Sequence, residues 1–301
     1  MAGVVWTDLL DPDREELERA APRQLHPRAL DLMLAPARHD DEPRPTFEAH
    51  IDYVFGVLLV PVLNRESHEL RYQEIDIVLT HDSVMTVRKT PPECPPFDPS
   101  EIQAVAQNEG AGMIAYRIVD EVAEGFLDLV DLLDTHIDDL EDHVEEWPSE
   151  RIRGRLSDLR HKMLHVRQTL SPTRDAVRRV VDNRIDTEGR ELFSRDLELR
   201  FGDSYDKLLR ASEGLDLARD LVASVRDYHQ AKVANDQNEV MKRLTVIASV
   251  LLVPTFIVGL YGQNLQGVPE FGWSFGYWWS WGLIVLTTIG QIIFYRRKRW
   301  I

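Results

Sequence analysis

Two uncharged apolar runs, Leu244–Tyr261 and Tyr277–Tyr295, fill most of the last sixty residues, and the loop between them opens Tyr261-Gly262-Gln263-Asn264. Helices of that length reach roughly 27–29 Å at about 1.5 Å per residue, close to the hydrocarbon thickness of a bilayer. No other feature constrains the chain as much, because it predicts two membrane-spanning helices and a polar turn on the far side. A buried hairpin in a soluble protein has the same length, but the flanks follow membrane rules. Lys242 and Arg243 precede the first run, and Arg296, Arg297, Lys298 and Arg299 follow the second. The intervening loop carries one charge, Glu270, and no Lys or Arg. Basic residues stay on the cytoplasmic side, so both termini are expected there, in a multi-pass protein of the plasma membrane. Trp273, Trp278, Trp279 and Trp281 gather near the outer boundary and Trp300 near the inner one, as amphipathic rings do at headgroup level.

The formal charge of −16 counts against a nucleic-acid partner, since phosphate binding needs a basic face, and suits divalent cations. Cys94 is the one cysteine, so no disulfide forms within the chain and a reducing cytosol is expected. Met1–Asp8 lacks the basic and apolar regions of a signal peptide, which leaves insertion to the hairpin. Enzyme signatures are missing: there is no Gly-rich phosphate loop and no Gly-x-Ser-x-Gly elbow. His161 and His165 have helical spacing, but Lys162 stands where a metalloprotease helix needs Glu, so both read as surface residues. No catalytic residue and no organic cofactor are expected.

The predicted fold class is α+β. Residues 1–112 read as an α/β cytosolic module, with a short helix opening at Asp13 after Pro12 and strands at Tyr53–Val62, Glu74–Leu79 and Ser83–Arg88. His81-Asp82-Ser83 supplies a tight turn, and Pro91–Pro99 a linker. Residues 113–243 read as a helical region and stalk. A helix pair over 113–170 is divided by Pro148, its first member acidic from Asp120 to Glu146 and its second basic from Arg151 to Arg167. The two faces either attract each other as solvated surfaces, or the acidic one also concentrates cations near a membrane pore. No proline falls between Pro172 and Pro254, and Leu208, Leu215 and Val222 recur at seven. One helix from about residue 190 to Tyr261, roughly 100 Å long, is predicted. The remaining segments are span 244–261, extracytoplasmic loop 262–276, span 277–295 and basic tail 296–301.

Residue types in the hairpin point to ions. Gly262 permits backbone angles closed to other residues, and Asn264 offers a carbonyl acceptor and an amide donor. Two spans cannot enclose a pore, so conduction demands a cyclic oligomer, which converts the Gly262 carbonyl and Asn264 into rings. Mg²⁺ sheds water reluctantly, and an amide ring can bond its hydration shell without stripping it. Glu270 is either a solvated loop charge or a source of negative potential outside the mouth. Pro254 frees the carbonyl of Val250 inside the first span, with Ser249 or Thr255 as candidate partners, and Thr255 as a pore-lining candidate.

At these residues the chain resembles the CorA family of magnesium channels, whose signature Gly-Met-Asn closes the first of two C-terminal spans. Asn238-Glu239-Val240-Met241-Lys242-Arg243-Leu244-Thr245, Val268-Pro269-Glu270-Phe271, Trp6-Thr7-Asp8-Leu9-Leu10 and Leu25-His26-Pro27 extend the likeness over nearly the whole chain. The resemblance implies a funnel-shaped homopentamer with an α/β/α cytosolic domain, taking up Mg²⁺, with Co²⁺ and Ni²⁺ as further cargo. It places Gly262, Gln263 and Asn264 at the selectivity filter, and Asn238, Met241, Leu244, Leu252, Thr255 and Gly259 along the pore. It also assigns Asp203 to a regulatory inter-subunit site where intracellular Mg²⁺ holds the closed state. The implied partners are membrane lipid, identical subunits and divalent metal ions. Gln263 departs from the family's Met. That departure keeps two alternatives open: a Zn²⁺ transporter on the same scaffold, and a non-conducting membrane-anchored scaffold.

Overall fold

A computed structural model describes residues 4–22, 25–38, 41–63, 69–106, 109–185, 192–263 and 272–300. The chain divides into two units, Met1–Val225 and Arg226–Ile301.

The first unit is built on a five-stranded sheet of order β1-β5-β4-β3-β2. Its strands are β1 (Val5–Leu10), β2 (Thr46–Ala49), β3 (Val54–Leu63), β4 (Leu70–Leu79) and β5 (Ser83–Arg88). β1 runs parallel to β5, and the other pairs are antiparallel. Around the sheet lie α1 (Arg14–Ala20), α2 (Pro27–Leu34), α3 (Ser100–Val105), α4 (Ala111–Asp142), α5 (Ser149–Val181) and the first part of α6 (Arg195–Tyr261). Two cores result. One joins Leu17, Ala29 and Met33 of α1 and α2 to Phe55, Val57, Val78, Met85 and Val87 of the sheet. The larger one joins Leu58, Ile75, Ile77 and Val84 to α4, α5 and α6. This sandwich is the expected α/β/α arrangement.

Local chemistry explains the elements. Asp13 caps α1, accepting from the Glu16 N–H at 2.8 Å, while the Glu16 carboxylate reaches back to the Asp13 N–H. β3 reads Val-Phe-Gly-Val-Leu-Leu-Val-Pro-Val-Leu and is buried over its first eight residues, as a strand covered on both faces should be. Pro61 is tolerated there because β2 pairs only as far as Val57, so the strand is locally an edge at Pro61. Gly56 makes room for neighbours: an added Cβ would come within 2.6 Å of the Phe47 ring and 2.8 Å of Ile77.

The structure departs from the sequence reading in several places. β4 begins at Leu70, four residues before the predicted start, because Arg71 and Gln73 break the run of Val, Ile and Leu yet still pair with Val62 and Val60. β1 and β2, each short and at a sheet edge, were not predicted as strands. α5 continues through Pro172 to Val181. Thr169, Leu170, Thr173, Ala176, Val177 and Val180 are buried across the proline, and their packing outweighs a penalty of about 3 kcal/mol. Thr173 also donates its hydroxyl to the Thr169 carbonyl at 2.8 Å, adding a donor in the turn the proline disrupts.

The acidic face of α4 is partnered from α6. Lys207 Nζ sits 2.8 Å from Asp120 Oδ1 and 2.5 Å from Glu124 Oε1, and Arg167 of α5 approaches Asp216 of α6 at 3.9 Å. His165 is not a surface residue: it is half-buried, 2.9 Å from Glu42 and edge-on to Tyr72.

In the second unit α6 continues unbroken to Tyr261, and α7 spans Gly276–Arg297. Both helices are long and apolar enough to cross a membrane. Their apolar side chains are largely uncovered, with Leu252 67 %, Phe256 67 % and Leu286 72 % exposed. Such surface is unsuited to water and fits lipid or further subunits.

Candidate functional site

Asn238, Met241, Leu244, Leu252, Thr255 and Gly259 all lie on α6 and all are exposed. At 100° per residue, a helix of 3.6 residues per turn confines these six positions to one arc of about 120°. Val246 and Ile257, the two buried residues of the membrane stretch, lie on the opposite side, with half-buried Val250, Val253 and Pro254 around them. Gln291 of α7 donates from Nε2 to the Ser249 carbonyl at 3.2 Å, at the boundary between the stripe and that covered side. A single chain therefore covers one flank of the span and leaves an open stripe whose ends carry Asn238 and Gly259.

The stripe ends where α6 does. The Gly262 N–H bonds the Val258 carbonyl at 2.9 Å, and the Gln263 N–H follows to Leu260 at 3.4 Å. Gly262 does not use the left-handed freedom expected of it, since its φ lies outside that region. Its size matters instead, because an added Cβ would stand 3.0 Å from the Val258 oxygen. The Gln263 side chain is exposed at the end of the helix. Asn264 and Glu270 fall outside the described residues.

Pro254 frees the Val250 carbonyl, and the hydroxyl that follows the proline serves the next carbonyl instead. Thr255 Oγ1 donates to the Leu251 carbonyl at 2.7 Å, the same Pro-Thr device seen at Pro172-Thr173. Among the described residues neither partner weighed from sequence bonds the Val250 carbonyl: Thr255 bonds Leu251, and the Ser249 carbonyl accepts from Gln291. Sequence reasoning missed Gln291, although a lone amide within the second apolar run was a readable signal.

Asp203 is an exposed residue of α6 in the first unit. One residue on, Ser204 is buried and donates to Asp120 Oδ1 at 2.9 Å, and Lys207 completes the link to α4. Lys207 thus occupies Asp120 and Glu124, leaving Asp203 and Asp206 beside it on a shallow hollow with Arg210. Burial raises the Tyr116 hydroxyl pKa, helped by negative Asp120 and Asp203 and opposed by Lys207 and Arg200. Among the described residues no three His, Cys, Asp or Glu side chains converge to hold a metal within one chain.

A mixed-sheet unit followed by a long helix, whose last part and α7 are the two apolar, lipid-compatible segments, defines a membrane protein of the two-span class. Residues 1–297 match the family model described as CorA-like Mg²⁺ transporter protein, and the chain belongs to that family of divalent-cation transporters. It is 26 % identical over 283 residues to the cobalt/magnesium transport protein CorA of Thermotoga maritima, covering 92 % of this chain and 77 % of the relative. It is 25 % identical over 202 residues to the zinc transport protein ZntB of Yersinia enterocolitica, covering 67 % of this chain and 60 % of the relative. The fold is similar to the complete structure of the CorA magnesium transporter from Methanocaldococcus jannaschii, with TM-score 0.79 and 19 % identity over 98 % of this chain and 91 % of the other.

Proposed function

We propose that the chain forms a homopentameric channel that admits Mg²⁺, and with it Co²⁺ and Ni²⁺, into the cytosol. The observation that carries this reading is the exposed stripe on α6, opposite the side on which Val246 and Ile257 are buried. Five copies turned about one axis would present Asn238, Met241, Leu244, Leu252, Thr255 and Gly259 to a common lumen, with Gly262, Gln263 and Asn264 at its mouth. Amide and carbonyl groups there suit an ion that keeps its water, and Glu270 would add negative potential outside. Entry is driven by the membrane potential, because two charges crossing about 100 mV gain roughly 4.6 kcal/mol. Both termini would lie in the cytosol, with residues 262–276 outside and 296–301 as a basic inner tail.

Intracellular Mg²⁺ would close the channel by binding at Asp203 between subunits. An exposed carboxylate is a suitable ligand for a hard cation, and such binding shifts gating only through different affinities for the open and closed states. The likeness to a zinc transport protein, together with Gln263 at the mouth, favours Zn²⁺ as the second reading of the cargo.

Flux into vesicles holding the purified protein tests both. Mg²⁺ uptake that survives in competition with Zn²⁺, and is abolished in an assembled Asn264→Ala variant, is expected. Uptake dominated by Zn²⁺ would move the protein to the second reading, and no divalent flux at all would leave a non-conducting anchor. Asp203→Asn should weaken inhibition by internal Mg²⁺; unchanged sensitivity would remove the sensor assignment.

A further inference from the structure

The most heavily buried charges of the described residues lie in the sheet of the first unit. Glu74 and Asp76 alternate along β4, and so share the face on which Val78 packs against α1 and α2. Lys89 follows β5, its N–H bonded to the Glu74 carbonyl at 3.2 Å. The Lys89 ammonium donates to the Leu32 carbonyl of α2 at 2.7 Å and to Glu74 Oε1. The side chains of Lys89, Glu74 and Asp76 are 4 %, 6 % and 0 % exposed. Lys89 Nζ comes 3.2 Å from Asp76 Oδ2, and among the described residues no other donor reaches either Asp76 oxygen.

Two carboxylates and one ammonium make a net negative charge in a site closed to water. Asp76 faces Val57 on β3 and Val87 on β5, neither of which can donate a side-chain hydrogen bond. The charged groups that reach the cluster are few. Lys89 opposes both carboxylates' protonation, each carboxylate disfavours the other's charge, and Glu42 acts on Glu74 from its pairing with His165 of α5. Tyr72, on the same face two residues before Glu74, accepts from the Thr169 hydroxyl of α5 at 2.8 Å, and burial raises its own pKa. One added proton makes the trio neutral.

We propose that Glu74, Asp76 and Lys89 form a buried proton-binding centre that holds one proton between its two carboxylates and, through Lys89 and the Leu32 carbonyl, ties α2 to the sheet while that proton is present. Burial is the main cause of the affinity, and it pushes Asp76 from 3.8 up to about 7, with Glu74 moved in the same direction. The pair titrates as one site. Because the folded carboxyl binds its proton more tightly than the unfolded one, this contribution to stability is complete below the ordinary Asp range and is lost as pH rises through about 7. The contact between α2 and the sheet therefore weakens as pH rises from the ordinary Asp range towards about 7.

Hydrogen exchange of the full-length protein in lipid nanodiscs, corrected for the intrinsic pH dependence of exchange, reads the effect directly. Protection of residues 27–34 and of β4 should fall as pH rises from about 5 to about 7, by up to about tenfold per pH unit for one proton, and level off above about 8. Asp76→Asn, which mimics the protonated side chain, should show the same protection across that range. A wild-type profile without this fall, or an Asp76→Asn variant that keeps it, overturns the proposal. Should Asp76→Asn not fold, Lys89→Met supplies the second arm: loss of the ammonium should move the transition to higher pH, and an unmoved transition overturns the proposal equally.

Discussion

The two ends of α6 use apolar residues in opposite ways. From Phe201 to Val225 they recur at helical intervals and are buried: Phe201, Leu208, Ala211, Leu215, Ala218 and Val225 form one seam. From Leu244 to Leu260 they occur all round, and Leu244, Ile247, Leu251, Leu252, Phe256, Val258 and Leu260 are exposed. A helix that is polar on one face finds its partner inside the protein; one that is apolar on every face needs a solvent of the same kind. The same 67-residue element thus passes between two environments with no break in its backbone, and the change is written only in the pattern of side chains.

The sharpest way to break that contrast is to truncate one ring in each half. Phe201 is fully buried between Phe193 and Tyr116, so Phe201→Ala should cost about 3–5 kcal/mol, read as a large drop in thermal midpoint. Phe256→Ala should leave that midpoint within about 0.5 kcal/mol of wild type. Equal losses would mean that the second half is packed like the first. A finer cut compares two amides within the span. Ile257→Asn puts a polar group on the covered side, costing about 2 kcal/mol or more and reducing the yield of assembled protein, whereas Leu252→Asn on the stripe should preserve assembly and change flux. Similar assembly defects in both variants would remove the stripe from the pore.

Smaller effects test the clasps. Lys207→Met leaves Asp120 and Glu124 facing each other without their cation and should cost about 1 kcal/mol, less at high salt, in a denaturation series at two ionic strengths. Gln291→Leu removes one interhelical bond within the membrane. About 0.6 kcal/mol is expected, best measured as a coupling energy in a cycle with a second α6 substitution, and a coupling of zero would show that the bond to Ser249 holds nothing.

The sequence reveals what depends on long runs and hides what depends on distant contacts. The spans, the unbroken stalk and the Asp13 cap follow from composition and spacing over at most a few turns. The pairing of Lys207 with Asp120 and Glu124 does not, because residues more than eighty apart must first be brought together by α4 and α6. His165 looked exposed for the same reason: its partner Glu42 is 123 residues away. Glu74, Asp76 and Lys89 are the hardest case. Charged residues usually mark surface, and only the strand order, which places β4 between β3 and β5 under α1 and α2, buries them. The stripe on α6 was legible as spacing, yet its meaning came from the opposite side, where Val246 and Ile257 are buried.

β1 carries a consequence for how the nascent chain matures. Its residues leave the ribosome well before β5 but pair in register with Ser83–Arg88, with Thr86 and Arg88 bonding Asp8 across a gap of nearly eighty positions. Closing so distant a pair is slow, and until it happens the outer edge of β5 stays open as a template for any passing strand. Removing residues 4–10 should make that vulnerable interval permanent, leaving a chain that can still fold its helices but sticks to its own kind during synthesis.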